Sequence, residues 1–196
     1  AAERALAAAA RTLDDARGEA APRFSQAVSA QMQRLEMGTA QLVCEQRALP
    51  RASWTRSGAS EVEFMFQPGA GMQARPLARI ASGGEVSRVM LAVKVVLGEV
   101  DDVDTLVFDE VDAGVGGSTA VALADVLADL ARTHQVIVVS HLAQVAVWGE
   151  VHYVVRKTAG ERAMPATNLR RLPDGERPAE IDRMLSRAAP EASLAH

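Results

Sequence analysis

The sequence predicts an α/β fold in which a mostly parallel sheet is flanked by helices. Two apolar runs of strand length, TLVFDE at 105–110 and QVIVVSH at 135–141, both end in polar residues. Segments with apolar residues at helical spacing precede and separate these runs, so helices and strands alternate along the chain. Such alternation is typical of parallel strands joined by helices, and strands covered on both faces read as nearly continuous apolar runs.

Composition narrows the class of protein. The chain has 196 residues, 48% of them hydrophobic and 23% charged, which is typical of a globular domain. A net charge of −4 excludes a highly basic nucleic-acid module, although it leaves room for a local basic patch. The single cysteine, Cys44, excludes an intrachain disulfide and a cysteine-rich zinc site, and it favours a reducing, intracellular compartment. The absence of a run of about eighteen apolar residues predicts that no segment spans a membrane.

The N-terminal segment is expected to lead into this α/β region. Residues 1–17 are rich in alanine and predict a helix, whose small apolar face is typical of the end of a longer coiled coil. We therefore divide the chain into a coiled-coil end, residues 1–20, and a domain, residues 21–196. Because the chain starts at Ala1 rather than methionine, we expect it to begin inside a longer protein or to have been shortened.

The next elements are a second helix and two strands. Gly18 and Pro22 should interrupt the first helix, and a second helix should run from Phe24 until Pro50 ends it. One strand should begin at Trp54 and turn at Gly58. The alternating residues of the second strand are Val62, Phe64 and Phe66.

The remaining elements follow from the same periodicities. Residues 68–78 read as a loop, and an apolar stripe predicts a helix after the SGG at 82–84. Further helices are expected at 117–132, 142–148 and 176–187, and further strands at 151–157 and 167–172.

Two acids follow the strand TLVFDE. In open α/β sheets, ligands bind beyond the carboxyl ends of the strands, which is where Asp109 and Glu110 fall. Adjacent strand residues point to opposite faces, so one acid can hold Mg²⁺ while the other orients a water. Seven acids lie between Glu99 and Asp112 with no Lys or Arg among them, which also favours a bound cation. The plain alternative is a strand that ends in a solvated turn.

In the motif IASGGEVSR, residues 80–88, a serine and two glycines open the predicted helix. Exposed backbone N–H groups, the positive end of the helix dipole and the hydroxyl of Ser82 can together bind an anion. Gly83 and Gly84 would let a phosphate approach the backbone. The alternative is an ordinary serine N-cap with Glu85 capping locally.

A histidine ends the second apolar run. If this strand lies beside TLVFDE, His141 reaches the same edge as Glu110 and can hydrogen-bond a phosphoryl group or its water. The alternative is a histidine with a purely structural hydrogen bond.

The order and spacing of these three motifs resemble the C-terminal half of an ABC-type ATPase head. Ser82–Glu85 resembles the signature motif, TLVFDE the Walker B strand, Asp112–Gly116 the D-loop and His141 the switch histidine. DEVDAGVGG and SHLAQVA, with IASGGEVSR upstream, are similar to the RecN family of bacterial SMC-like DNA repair proteins, from about Leu77 to Lys157. SMC proteins typically have Ala-Leu-Asp where this chain has Gly-Val-Gly at 114–116, and this difference favours RecN over SMC or transporter heads.

The resemblance implies a role for each motif residue. In such heads, two copies sandwich two ATP molecules. Asp109 would hold Mg²⁺ through water, Glu110 would be the general base or would position the attacking water, and His141 would contact the γ-phosphate. The residues implied to bind the ATP of the opposing head are Ser82, Gly83, Gly84 and Glu85. The residues implied to lie at the seam between heads are Asp112, Ala113 and Gly114.

The resemblance also implies cofactors and partners. These are ATP, Mg²⁺, an N-terminal lobe of the same protein that carries the Walker A loop G-x-x-x-x-G-K-S/T, a second copy in a homodimer, and broken double-strand DNA ends. The two lysines of this chain, Lys94 and Lys157, do not follow a glycine, so the chain lacks that loop. We therefore expect an ATPase of double-strand break repair and recombination only when the lobes combine, in the cytoplasm and associated with the nucleoid.

Three other interpretations stay open. The chain could be the head of another SMC-like ATPase or of a transporter, or a non-enzymatic fragment for head dimerisation.

Basic residues between positions 150 and 177 could contact DNA phosphates, although a solvated edge hairpin explains them as well. These residues are Arg156, Lys157, Arg162, Arg170, Arg171 and Arg177.

Overall fold

The longest element of the computed structural model, which describes residues 1–100, 102–158 and 166–188, is helix α1, Ala2–Arg34. The interruption predicted at Gly18 and Pro22 is wrong, because α1 continues through both residues. A proline inside a helix removes one backbone hydrogen bond, and here packing compensates for that loss: Val28 and Met32 are fully buried. The division of the chain after residue 20 stays a prediction.

An antiparallel hairpin follows α1. Strands β1, Gln41–Ala48, and β2, Ser60–Gln67, pair along their whole length, and a short strand β3, Arg75–Pro76, pairs with β2. The helix predicted up to Pro50 is therefore wrong after Arg34, because the chain leaves the helix through left-handed residues at Glu36 (φ 54°) and Gly38 (φ 62°). Cys44 consequently lies in a strand rather than in a helix.

The connection between β1 and β2 contains a 3₁₀ turn instead of a strand. Residues 51–53 form this turn, so the strand predicted from Trp54 is wrong. The indole of Trp54 donates to the carbonyl of Leu49 at 3.1 Å, and the guanidinium of Arg51 lies 4.6 Å from its ring centroid. The turn predicted at Gly58 is confirmed, with φ 110°.

The central α/β unit matches the prediction closely. It consists of α2, Gly83–Leu97, β4, Thr105–Phe108, α3, Gly117–Leu130, and β5, Gln135–Val138. Strands β4 and β5 are parallel neighbours, with Thr105 opposite Gln135 and Phe108 opposite Val138. Leu106 and Phe108 of β4 face a core shared with α1, α2 and α3, which buries side chains such as Val89, Leu91, Leu123 and Val126.

The C-terminal part adds a small hairpin between two helices. Its elements are α4, Ala143–Ala146, β6, Tyr153–Thr158, β7, Ala166–Arg171, and α5, Arg177–Ala188. Among the described residues, parallel pairing is confined to β4 and β5, whereas β1–β2, β2–β3 and β6–β7 pair antiparallel. Strands β4 and β5 are joined by α3, a crossover helix of the kind that parallel neighbours require. Within the same ranges, no helix has both the length and the apolar character needed to cross a membrane.

Candidate functional site

The carboxyl ends of β4 and β5 form the edge at which the candidate residues meet. Both strands end in register, and the N–H of Val139 extends the pairing by donating to the carbonyl of Phe108 at 2.9 Å. The acids 109–110 follow β4 directly, and His141 follows β5. The structure therefore brings the acidic pair and the histidine to one edge of the sheet.

Asp112 links the loop after β4 to the end of β5. Its residue is only 3% exposed, and its Oδ2 accepts hydrogen bonds from the Ser140 hydroxyl at 2.5 Å and from the His141 backbone N–H at 2.9 Å. The Nδ1 of His141 lies 3.1 Å from the same oxygen, while the imidazole side chain is 72% exposed. The buried carboxylate is thus satisfied, and it favours the tautomer with its proton on Nδ1, which leaves Nε2 to meet a ligand.

The N-terminus of α2 lies against this loop. Ser82 has an extended backbone and caps the helix, because its hydroxyl oxygen accepts from the Glu85 N–H at 3.4 Å. A Cβ on Gly84 would lie 2.8 Å from the Ala113 carbonyl oxygen, and a Cβ on Gly83 would lie 2.9 Å from Glu110 Oε2. Position 84 therefore needs glycine because it meets the backbone of the loop, whereas at position 83 the neighbouring atom is the end of a flexible side chain that can move.

The acids themselves do not belong to the strand. Strand β4 ends at Phe108, so the expectation that residues 109 and 110 alternate on opposite strand faces is corrected. Glu110 has a left-handed backbone, φ 56°, which is uncommon for a residue with a side chain. The turn at Glu110 directs its carboxylate towards α2. Asp109 and Glu110 both remain exposed to solvent.

Two side chains of α2, for neither of which the sequence predicts a role, complete the contact. The hydroxyl of Ser87 donates to the Asp109 carbonyl at 3.2 Å, and the guanidinium of Arg88 donates to the Ala113 carbonyl at 3.1 Å. Burial lowers the pKa of Arg88, and the nearby Glu85 carboxylate opposes that effect. The available signal was the spacing of four residues between Gly84 and Arg88, which puts both on one face of the helix.

The donor set at the edge suits one kind of metal. Among the described residues, no group of three or more His, Cys, Asp or Glu side chains could enclose an ion. Mg²⁺ does not need such a cage, because it is usually held by one or two carboxylates while waters and phosphates supply its other ligands. The exposed pair Asp109 and Glu110 fits that requirement.

The basic residues predicted as a possible DNA contact lie mainly on the β6–β7 hairpin. Arg170 forms an ion pair with Glu176 at 2.6 Å, and Arg177 donates to the Glu150 carbonyl at 3.2 Å. Arg156 and Arg171 are exposed. Arg162 and the side chain of Lys157 lie outside the described residues. The edge hairpin is therefore present, and DNA contact stays a prediction.

Comparison with curated proteins gives a consistent set of relatives. The chain is 44% identical over 191 residues to the DNA repair protein RecN of Streptomyces coelicolor, an alignment that covers 92% of this chain and 33% of the relative. It is 43% identical over 202 residues to RecN of Mycobacterium leprae, covering 94% and 34%, and 49% identical over 139 residues to RecN of Deinococcus radiodurans, covering 71% and 24%. The chain thus spans about a third or less of the length of these relatives. No protein-family model matches it.

Comparison with solved structures identifies the fold. The Smc head domain with a coiled coil and joint from Pyrococcus yayanosii superposes with a TM-score of 0.56 at 15% identity, covering 82% of this chain and 28% of that one. A structure from work on ATP-driven dimerization and DNA-stimulated activation of SMC ATPases superposes with a TM-score of 0.52 at 17% identity, covering 88% and 96%. The fold is therefore that of an SMC head domain, and the predicted α/β head class is confirmed.

Proposed function

Because this chain is a homologue of the RecN proteins over the third of their length that it spans, we propose that it supplies the C-terminal part of an ATPase head. In the complete protein, that head would bind and hydrolyse ATP at sites shared between two copies. The activity would serve DNA repair, the role named in these relatives. The family resemblance of the motifs further implies double-strand break repair and recombination.

A single observation carries this proposal. The acids after β4, His141 after β5 and the glycine-rich start of α2 converge at one edge of a parallel sheet, and that edge is where α/β proteins bind ligands. Phosphoryl transfer depends mostly on positioning and on stabilising charge, which an edge with carboxylates, an imidazole and a helix N-terminus can provide.

Glu110 is the residue that we assign to the attacking water. Its carboxylate is exposed, and its left-handed backbone turns it out of the direction of β4. A carboxylate there can orient a water beside a terminal phosphate or accept its proton. Sparsely populated backbone conformations of this kind cluster at functional sites.

His141 is assigned to the γ-phosphate. Asp112 faces Nδ1 at 3.1 Å, so Nε2 is the nitrogen that can reach a ligand. From this position Nε2 could hydrogen-bond the phosphoryl group or its attacking water, while Asp112 holds the ring in place. Asp112 would thereby act through His141, in addition to the place at the seam between heads that the family resemblance implies for it, Ala113 and Gly114.

Asp109 is assigned to Mg²⁺, which it would hold through water. When bound, Mg²⁺ would neutralise charge on the β- and γ-phosphates. Ser82, Gly83, Gly84 and Glu85 are assigned to the nucleotide of the opposing copy. Because a Cβ on Gly83 would meet residue 110 and a Cβ on Gly84 would meet residue 113, the half-site for one nucleotide and the acids for the other lie side by side within one chain.

The uncovered face of the β4–β5 sheet supports an N-terminal lobe as partner. Val107 is 66% exposed, Ile137 47% and Val139 55%, all on the face opposite the core. Parallel strands are normally covered on both faces, so this apolar surface fits a missing layer of the same head. We propose that the layer is the lobe with the Walker A loop, which this sequence lacks.

The decisive experiment is Glu110→Gln in the full-length protein. We expect ATP binding to persist, the ATP-bound dimer to accumulate, and the steady-state turnover to fall by about two orders of magnitude or more, since the amide cannot take a proton. Glu63→Gln, on the exposed side of β2, is the matched control and should keep normal turnover. Near-normal turnover of the Glu110 variant would refute the assignment.

A second candidate is a non-enzymatic fragment for head dimerisation, favoured by the missing lysine loop. ATP hydrolysis should be measured for this chain alone, for the complementary lobe alone and for the mixture. Activity that appears only on mixing supports the shared site. Dimerisation of this chain without any gain in hydrolysis on mixing supports the fragment instead.

A further inference from the structure

The end of α1 contacts α3 at two separate places. Arg34 pairs with the far end of α3, donating to Asp129 at 2.8 Å and lying 3.5 Å from Asp125. Glu36, two residues later, reaches the start of α3. One of its carboxylate oxygens, Oε2, accepts from the Thr119 hydroxyl at 2.5 Å and from the Ser118 hydroxyl at 3.1 Å.

The backbone of Glu36 suggests that its side chain has a specific use. The residue ends α1 in the left-handed conformation, φ 54°, with its N–H bonded to the Gln33 carbonyl at 2.9 Å. This position after a helix usually holds glycine or asparagine, because a larger side chain is disfavoured there. A glutamate that accepts the disfavoured backbone needs a compensating interaction, and its two hydroxyl contacts provide one.

The start of α3 lacks a cap of its own. Its N-cap residue is Gly116, which has no side chain, and Gly117 follows with a left-handed φ of 58°. The N-terminus of a helix carries a partial positive charge that a carboxylate stabilises. Glu36 therefore supplies from α1 the negative group that the local sequence omits.

Residues 112–117, the glycine-rich loop before α3, are consequently held at three points. Asp112 bonds to the end of β5, and the carbonyl of Ala113 accepts from Arg88 of α2. The third point is the contact of Glu36 with the first turn of α3. A cavity of about 270 Å³, whose lining includes Met37 and Val115, lies between the end of α1 and the loop.

We propose that Glu36 is a positioning residue, which fixes the loop 112–117 and makes its placement depend on helix α1. The inference rests on the proposed function, in which this loop lies at the seam between two heads and α1 continues into a coiled coil. A shift of α1 along or around its axis would move Glu36 off the first turn of α3 and release the loop. Through this contact, the coiled-coil side of the molecule would influence engagement of the heads.

The test uses hydrogen–deuterium exchange in the full-length protein, read on peptides that span residues 114–124. Glu36→Ala should raise exchange of the amides that close the first turns of α3 by about fivefold or more. Glu36→Gly relieves the left-handed backbone but also lacks the carboxylate, so it should show the same increase with no loss of stability. Glu36→Gln keeps an acceptor oxygen for the two hydroxyls but loses the negative charge, so its exchange should fall between the wild type and Glu36→Ala.

A matched control removes the other contact between the same helices. Arg34→Ala should leave exchange over 114–124 unchanged, because its partners lie in the last two turns of α3. The proposal is overturned if Arg34→Ala raises exchange as much as Glu36→Ala, or if Glu36→Ala and Glu36→Gly exchange like the wild type.

Turnover provides the link to the seam. Glu36→Ala should lower kcat for ATP by about three- to tenfold while the Kd for ATP stays unchanged, because the residue does not contact nucleotide. A change in Kd with normal kcat would contradict the positioning role. Exchange does not depend on ATP hydrolysis, so failure of the Glu110→Gln test would leave the exchange result interpretable by itself.

Discussion

Two polar regions of this molecule are built in opposite ways. Where α1 crosses the β1–β2 hairpin, Ser60 is only 6% exposed. Its hydroxyl donates to Asp14 at 2.6 Å and accepts from Gln46 at 3.0 Å. Arg17 adds contacts to the same serine at 3.3 Å. At the carboxyl edge of β4 and β5, by contrast, the carboxylates of residues 109 and 110 are exposed. The first region satisfies its polar groups within the chain, whereas the second presents them to something outside it.

The sheets of these two regions, β1–β3 and β4–β5, differ in the same way. The outer edge of β1 is closed by hydroxyls of α1, since the N–H groups of Leu42 and Cys44 donate to Ser29 and Ser25 at 3.1 Å and 3.0 Å. The outer face of the β4–β5 sheet carries Val107, 66% exposed, and no layer of the described chain covers it. A closed edge protects a sheet from pairing with other chains, and an uncovered apolar face indicates a partner.

The largest expected effect comes from filling the contact between α2 and the loop at the site. Gly84→Ala introduces a Cβ 2.8 Å from the Ala113 carbonyl, so the loop must move away. Because alanine also favours the helix, the melting temperature should change little while turnover of the full-length protein falls about 100-fold. The measurement is a parallel assay of thermal unfolding and ATP hydrolysis.

Gly175→Ala is the control for that substitution, since nothing lies within 4 Å of a Cβ at position 175. It should leave both turnover and melting temperature near the wild-type values. If Gly84→Ala kept normal turnover, the close approach of α2 to the loop would have no functional importance, and the contrast between the two regions would weaken.

The site motifs could be predicted from the sequence because they coincide with strong local signals. Leu106 and Phe108 mark a buried strand, and the acids follow it directly. The parallel register of β4 and β5 follows from the crossover helix between them, so the meeting of Glu110 and His141 at one edge was predictable. The run of acids between Glu99 and Asp112 and the two glycines of the SGG at 82–84 are local signals of the same kind.

Other features depend on contacts that a local pattern does not contain. Pro22 lies inside α1 because tertiary packing compensates for its lost hydrogen bond, and propensity alone predicts a break. Residues 41–48 were predicted as helix because Leu42 and Val43 continue a helical spacing, whereas pairing with β2 decides their structure. The hydrogen bonds made by Arg88 and Glu36 join residues 25 and more than 80 positions apart, which no local periodicity reports.

A smaller effect is expected at the polar cluster of Ser60, Asp14 and Gln46, where α1 crosses the β1–β2 hairpin. Ser60→Ala leaves the half-buried carboxylate of Asp14 and the amide of Gln46 without their shared hydroxyl, which should lower the free energy of unfolding of this chain by about 0.5–1.5 kcal/mol. Denaturant unfolding followed by circular dichroism measures this loss. Ser57→Ala, at an exposed turn, is the control and should change stability by less than about 0.5 kcal/mol.

The stability of the chain and the turnover at the edge of β4 and β5 should respond differently to the substitution of Ser60. Ser60→Ala should leave the kcat of the full-length protein within about twofold of the wild type, since Ser60 lies on the hairpin and not at the edge of β4. A large loss of turnover with unchanged stability would show that the cluster around Ser60 also takes part in the reaction. The comparison of the two regions would then fail.

The smallest effect concerns the exposed ion pair between α1 and α3. The hydrogen bond from Arg34 lowers the pKa of Asp129 below its ordinary value of about 3.9. A carboxyl whose pKa is lower in the folded state stabilises the fold above the unfolded pKa, and this contribution disappears as the pH falls through the folded pKa. Asp129→Asn should therefore melt slightly below the wild type at pH 7, with a gap that closes below about pH 4 and shrinks in high salt. In an Arg34→Ala background the substitution should have a smaller effect, because only the more distant Arg132, 3.7 Å from Asp129, remains as a cationic partner. A gap that persists at pH 2–3 would mean that Asp129 stabilises α3 through something other than its charge.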